Sequence, residues 1–315
     1  MPGEDTLKTV AVIGSVTDEH TQYMMEAVKR RRARALLVET ASVPESATLS
    51  WEEGVVRYQG ERLDELRAFY IKRIQLSLPM PDPAELVGRN FTTWQEQYIA
   101  ERERQSLLLS VLRALNRPGR AFINPLEAIE LHYLKVHQLT LLRRHKIPVP
   151  PSLGTCDPQA VREFVSTHGS VIYKPLGGGA LVRRVGEEDL TDARLALLGN
   201  SPVLFQAEIR GDEFRAYVLD GEPVAAFRIP TDGVVDAREN IARVKPARLP
   251  EEAWRLCIKG ARALGMVFTA VDLRRDADGR FVALEFNPTP AISFFEDPRR
   301  GKIISALAGY LVAKA

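Results

Sequence analysis

The stretch 271–287, VDLRRDADGRFVALEFN, constrains the chain more than any other. DADG at 276–279 combines acids with glycine, which favours a turn between two strands. Side chains alternate across a strand, so Glu285 and Asn287 are expected on one face, with Val282, Leu284 and Phe286 on the other. Asp272, on the partner strand, can face the same cleft. Glu285 and Asn287 stand within VALEFNPTP, an otherwise apolar run, and polar groups among such neighbours need a partner. Two carboxylates and an amide oxygen form a hard, oxygen-rich set. Magnesium prefers such a set and keeps its other positions for water and phosphate oxygens. The competing reading is a polar, solvent-facing hairpin edge.

A second signal lies at 172–180, IYKPLGGGA. A strand delivers Lys174, and Gly177, Gly178 and Gly179 follow. Without a Cβ, glycine lets backbone N–H groups approach an anion, and the lysine adds a point charge for phosphate. The Walker A order is absent, so any phosphate loop here is of another kind. A flexible hairpin with a surface lysine is the alternative. Between these segments, FQAEI (205–209), GDEFR (211–215) and FRI (227–229) carry Arg215 and Arg228 on strands. Their planar donor forks suit phosphate or carboxylate, although ordinary salt bridges would use the same residues.

Around these motifs the chain reads as mixed α/β and α+β. Residues 9–14 (TVAVIG), a helix over 19–32 and residues 35–39 (ALLVE) open an α/β domain. A meander ends at 68–72, and one long helical region spans 90–116, stopped by Pro118 and Gly119. A helix over 126–145 leads to IPVPP, and Asp157 caps another through 168. Strands and turns then dominate, with helices at 251–264 and 301–312. This gives three expected lobes: an N-terminal α/β domain (1–120), a central lid (121–200) and a C-terminal catalytic lobe (201–315).

Composition limits the partners. The net charge of +2 on 315 residues argues against a dedicated nucleic-acid binder. No apolar run is long enough for a membrane span, and the start MPGEDTLK is not a secretory signal. Cys156 and Cys257 form no motif and read as reduced thiols of a cytoplasmic protein. No nucleophile elbow or HExxH motif is present, and His132 and His137 are spaced as on a plain helix. KRRR at 29–32 reads as a solvated helix end.

The order of these parts resembles the ATP-grasp superfamily, in particular ribosomal-protein glutamate ligases and glutathione-synthetase-like enzymes. A helix with Lys135 leads to IPVPPS, YKPLGGG, FQAEI, GDEFR, VDL and LEFNPTP, covering residues 120 to 315. The resemblance implies an ATP-grasp fold, with Lys135, Lys174 and the loop Gly177, Gly178, Gly179 at the phosphates of ATP. Gln206, Ala207, Glu208 and Ile209 would form the adenine hinge, with Glu213 on the ribose side and Arg215 beside the nucleotide. Asp272, Glu285 and Asn287 would hold two magnesium ions, or manganese. Arg228 would touch the transferred phosphate, and Arg238 and Asn240 in DAREN would stand near the reacting acyl group. Two departures stand out. The hinge reads QAEI, where an acid often follows the glutamine directly, and PTPAISFFED lacks the glycine usual after the asparagine in glutamate ligases.

The N-terminal lobe resembles the microviridin-type peptide maturases, through FYIKR (69–73), INPLEAI, KVHQLTLLRRHKIPVP and FFED followed by GKIISALAGYL. The resemblance implies ATP-dependent joining of a carboxylate to an amine or hydroxyl through an acyl phosphate, on a ribosomally made peptide. An amino-acid or dipeptide substrate is the alternative, and a nucleotide-binding protein without catalysis is the third reading. No nucleic-acid or membrane partner is expected, and self-association is left open.

Overall fold

The computed structural model describes residues 7–72, 74, 93–177, 181–276, 278–297 and 299–315, with the side chains of 237 and 239 left aside. Gly178 and Gly179 therefore lie outside the described residues. The chain divides into two compact units, 1–126 with 298–315, and 127–297.

The first unit is built on a parallel four-stranded sheet in the order Arg34–Glu39, Thr9–Gly14, Ala68–Ile71, Ala121–Ile123. Val10 to Ile13 are fully buried, as expected of a parallel strand covered on both faces. Asp18 caps the helix Glu19–Arg30 by accepting from the Thr21 amide at 2.8 Å. Thr93 and Glu96 close a capping box on the helix Trp94–Leu115. The C-terminal helix Lys302–Lys314 belongs to this unit. Arg31 donates to the Ser305 carbonyl at 2.7 Å and to its hydroxyl at 2.8 Å, so the KRRR run is partly a structural tie.

The second unit holds two antiparallel sheets. The smaller runs Arg183–Arg184, Val171–Pro175, Val203–Ala207, Ser152–Thr155. The larger runs Lys245–Pro246, Glu222–Ile229, Glu213–Leu219, Phe268–Arg275, Phe281–Asn287. The helix Glu251–Ala263 covers one face of the larger sheet, burying Ala253, Cys257 and Ala261 against Val271, Leu273, Ala283 and Phe286. Small residues along this helix permit close approach. A Cβ on Gly260 would come within 2.2 Å of the Phe286 ring.

Two sequence expectations need correction. The helix expected over 126–145 is two helices, Leu126–Glu130 and Lys135–Arg144. Three-residue turns close between them, from His132 N to Ile129 O and from Tyr133 N to Glu130 O, so the second helix starts afresh with Lys135 in its first turn. The alternation expected along 281–287 is also broken. Asp272 pairs with Glu285 but Leu273 pairs with Ala283, leaving Leu284 as the extra residue of a bulge. Phe281 and Ala283 therefore join Phe286 in the core, and Leu284 lines the cleft. Without the bulge, Glu285 would share the core face of Phe281 and Ala283. Among the described residues, no helix is long and apolar enough to cross a membrane.

The Gly260 contact yields a stability test. Gly260→Ala gains about 1 kcal/mol of helix propensity but overpacks Phe286, at a cost of about 1–3 kcal/mol. A net loss is expected in urea melts at constant m-value. Equal or greater stability would show that the helix can move off the sheet without penalty.

Candidate functional site

A cleft of about 370 Å³ within the second unit gathers side chains from both of its sheets. Asp272 and Glu285 face each other on adjacent strands, and Asn287 follows two residues on. The bulge at Leu284 turns Glu285 into this cleft. Arg215, on the neighbouring strand, donates to Asp272 Oδ1 at 2.8 Å, and Asn287 Nδ2 donates to Asp272 Oδ2 at 2.9 Å. The Arg215 guanidinium also lies 5.0 Å from the centre of the Phe295 ring, a cation–π distance.

Lys135 comes from the helix Lys135–Arg144, and its Nζ lies 2.5 Å from Glu285 Oε1. This helix is fixed to the strand Phe281–Asn287 by Gln138. Its Nε2 donates to the Phe286 carbonyl, and its Oε1 accepts from the Phe286 amide, both at 3.0 Å. The side chain thus serves as a strand partner for the residue between Glu285 and Asn287. Lys135, Gln138, Leu139 and Leu142 form the buried stripe of the helix, at helical spacing. Lys174 reaches the cleft from the smaller sheet, on the strand paired with Gln206 and Ala207.

The charges perturb one another. Burial pushes the Asp272 carboxyl above its usual range, against the pull of Arg215, and the charge of Glu285 pushes it further. Burial acts on Glu285 in the same direction, but Lys135 and then Lys174 outweigh it and hold that group below its usual value. Burial lowers Lys174, opposed by Glu285. Glu213 is pushed up to about 7 by burial and by Asp272, despite its ion pair with Arg274 at 3.1 Å. Two mutually repelling carboxylates beside an amide suit a divalent cation, which would relieve that repulsion. Two carboxylates and one amide oxygen would leave the rest of an ion's shell to water and phosphate oxygens, as magnesium prefers.

The cleft brings together Lys135, Lys174, Gln206, Ala207, Ile209, Glu213, Arg215, Arg238, Asp272, Glu285 and Asn287. Three candidates point elsewhere. Glu208 is held by Ser170 Oγ at 2.5 Å and by Arg184 at 2.7 and 2.9 Å. Arg228 is half exposed and pairs with Asp212 at 2.8 Å. Asn240 spends its amide on the Pro230 and Thr231 carbonyls, at 2.9 and 3.2 Å. A Cβ on Gly177 would meet nothing within 4 Å. Sequence reasoning set His132 aside as a plain helix residue, although it lines the cleft with Nδ1 at 3.7 Å from Glu285 and is lowered chiefly by burial. It also passed over Gln138, Asp236 and Arg274. Arg274 was legible in principle, since it stands two residues from Asp272 on one strand and so shares its face.

The family model described as prokaryotic glutathione synthetase, ATP-grasp domain, matches residues 138–276. The glutathione synthetase of Thermosynechococcus vestitus is 34% identical over 142 residues, which are 40% of this chain and 44% of that protein. The chain thus spans less than half the length of the curated glutathione synthetases it matches. The structure of the ATP-grasp ligase PsnB with a minimal precursor, Mg and ADP superposes with a TM-score of 0.83 at 31% identity, covering 97% of both chains. The macrocyclase MdnC of Microcystis aeruginosa, solved with its precursor peptide MdnA, shares the fold at a TM-score of 0.79 and 20% identity, over 97% of this chain and 99% of that one.

The raised Glu213 carboxyl has a sign that can be checked. The folded protein holds this proton to about pH 7, above the range of an unfolded glutamate. Its contribution to stability is therefore fully present in acid and is lost as pH rises through 7. In chelator, Glu213→Gln should match the parent near pH 5 and melt higher than it near pH 8. A stability difference that does not change with pH would remove the assigned shift.

Proposed function

Because the chain belongs to the ATP-grasp ligases, we propose that it uses ATP and magnesium to activate a carboxylate and join it to an amine or hydroxyl of a ribosomally made peptide. The observation that carries the reading is the cleft itself, where two lysines and three arginines surround a facing pair of carboxylates. The peptide is favoured by how far each likeness extends. The glutathione-synthetase model matches 138–276 alone, whereas the likeness to PsnB runs through both units. PsnB was solved with its precursor peptide PsnA2 and an ATP analogue. The likeness to glutathione synthetases keeps a small-molecule ligase as the second reading.

In the proposed reaction the substrate carboxylate attacks the γ-phosphorus of ATP, giving an acyl phosphate and ADP. The nucleophile then adds to the acyl carbon, and phosphate leaves with the oxygen. Lys135 and Lys174 offset phosphate charge, and Gln206 to Ile209 flank the adenine, with Glu213 towards the ribose. Asp272, Glu285 and Asn287 would hold two magnesium ions, or manganese, and the bound metal would supply charge to offset that developing on the transferred group. Arg215 and Arg238 present fixed donor forks towards the acyl phosphate, a task of positioning and charge stabilisation. Arg228 and Asn240 would join the set only on leaving Asp212 and the 230–231 carbonyls, and the loop Gly177–179 would exclude water. A central lid at 121–200 and a catalytic lobe from 201, without the C-terminal helix that belongs to the first unit, are part of the same proposal, as is a cytoplasmic location. The latter is supported by Cys156 and Cys257, which are both free.

Mass spectrometry after incubation with magnesium, ATP and a precursor peptide encoded beside the gene tests the reading. Each linkage should remove one water, about 18 Da, because every condensation sends one oxygen into phosphate. An unchanged peptide, with a free amino acid consumed alongside ATP, would favour the small-molecule ligase.

A further inference from the structure

Arg274 lines the cleft with its guanidinium fully engaged by neighbouring groups, and nothing in the proposed chemistry uses it directly. It is 5% exposed. Its Nε lies 3.1 Å from Glu213 Oε2, its Nη1 donates to the Ile209 carbonyl at 3.0 Å, and its Nη2 donates to the Val235 carbonyl at 2.6 Å. Three separate segments thus meet on one planar group. They are the start of the strand Glu213–Leu219, the end of the hinge, and the stretch leading to Asp236.

The Val235 contact bears on the site through the adjoining residue, Asp236, which is 4% exposed. Its carboxylate accepts from the Arg238 amide at 3.0 Å and from Arg238 Nε and Nη2 at 2.8 and 2.5 Å. The same carboxylate accepts from the Val182 amide at 2.9 Å. Arg238 is therefore held at its side chain and its backbone by Asp236, and the segment is held at its root by Arg274.

We infer that Arg274 is a positioning residue that sets Arg238 in the cleft through Val235 and Asp236, and ties that setting to the hinge at Ile209. The inference rests on the assignment of Arg238 to the acyl site. A guanidinium suits the task because it presents five donors in a rigid fork, enough for a carboxylate and two carbonyls at once. Lysine offers one point charge and cannot span the three partners.

Arg274→Lys keeps the charge beside Glu213 and removes the fork. Hydrogen exchange on this variant without nucleotide should show lost protection over 234–243, with protection unchanged in the strands Glu213–Leu219 and Phe268–Arg275. Unchanged protection over 234–243 would overturn the positioning role, whatever the protein catalyses. With magnesium, ATP and the precursor peptide, the variant should lose about 10²-fold in kcat, the scale of an ångström-sized misplacement. In an Arg238→Ala background the same change should cost about twofold or less, since residues acting as a unit are not additive. Losses that multiply would show that Arg274 acts independently of Arg238. Should Arg274→Lys fail to fold, Asp236→Asn, which leaves the fork intact, takes its place in the same cycle, and multiplying losses there would overturn the proposal. A parent protein that releases no ADP with the peptide, but shows the exchange change in Arg274→Lys, would count against the ligase reading and leave the positioning role standing.

Discussion

Asp272 and Glu285 stand side by side in a cleft where neither carboxylate could remain charged alone. Leaving one buried charge unpaired costs several kcal/mol, on the order of 3–5. Arg215 against Asp272 and Lys135 against Glu285 offset part of that cost. Much of the second unit can be read as the means of bringing those cations in. Arg215 arrives on the strand next to Asp272. Lys135 arrives on a helix that Gln138 clasps to the Phe286 backbone. Phe286 in turn packs under Gly260.

In the proposed function the same arrangement would receive an anion and a metal. Charge remains imperfectly balanced, as the raised Asp272 and Glu213 carboxyls show. A divalent cation entering between the carboxylates would lower that tension and compete with Lys135 and Arg215 for them. In the proposed reaction, those two cations would then face phosphate oxygens. Stability is given up at this point of the fold for a function the sheet alone would not need.

That Asp272, Glu285, Asn287 and both lysines meet in one cleft was legible because a polar residue set in an apolar strand, or a lysine beside a glycine loop, requires a partner to offset its burial. The bulge at Leu284 was not legible, since strict alternation was assumed, yet the expected face for Glu285 is reached only through that irregularity. The break before Lys135 was hidden by a continuous helical composition over 126–145. Glu208 and Asn240 fit the motif order, but their side chains answer to local partners, Arg184 and the 230–231 carbonyls, which no linear pattern encodes. Gln138 carried a usable signal, a polar residue in the buried stripe of its helix, as did Arg274, two residues along the strand from Asp272.

Calorimetric titration with a non-hydrolysable ATP analogue, with and without magnesium, tests the central claim most directly. In the parent protein magnesium should tighten binding by at least about tenfold, or 1.4 kcal/mol. In Glu285→Gln that gain should vanish while the magnesium-free affinity stays. A metal-dependent gain that survives intact in Glu285→Gln would show that the facing carboxylates are not the metal site.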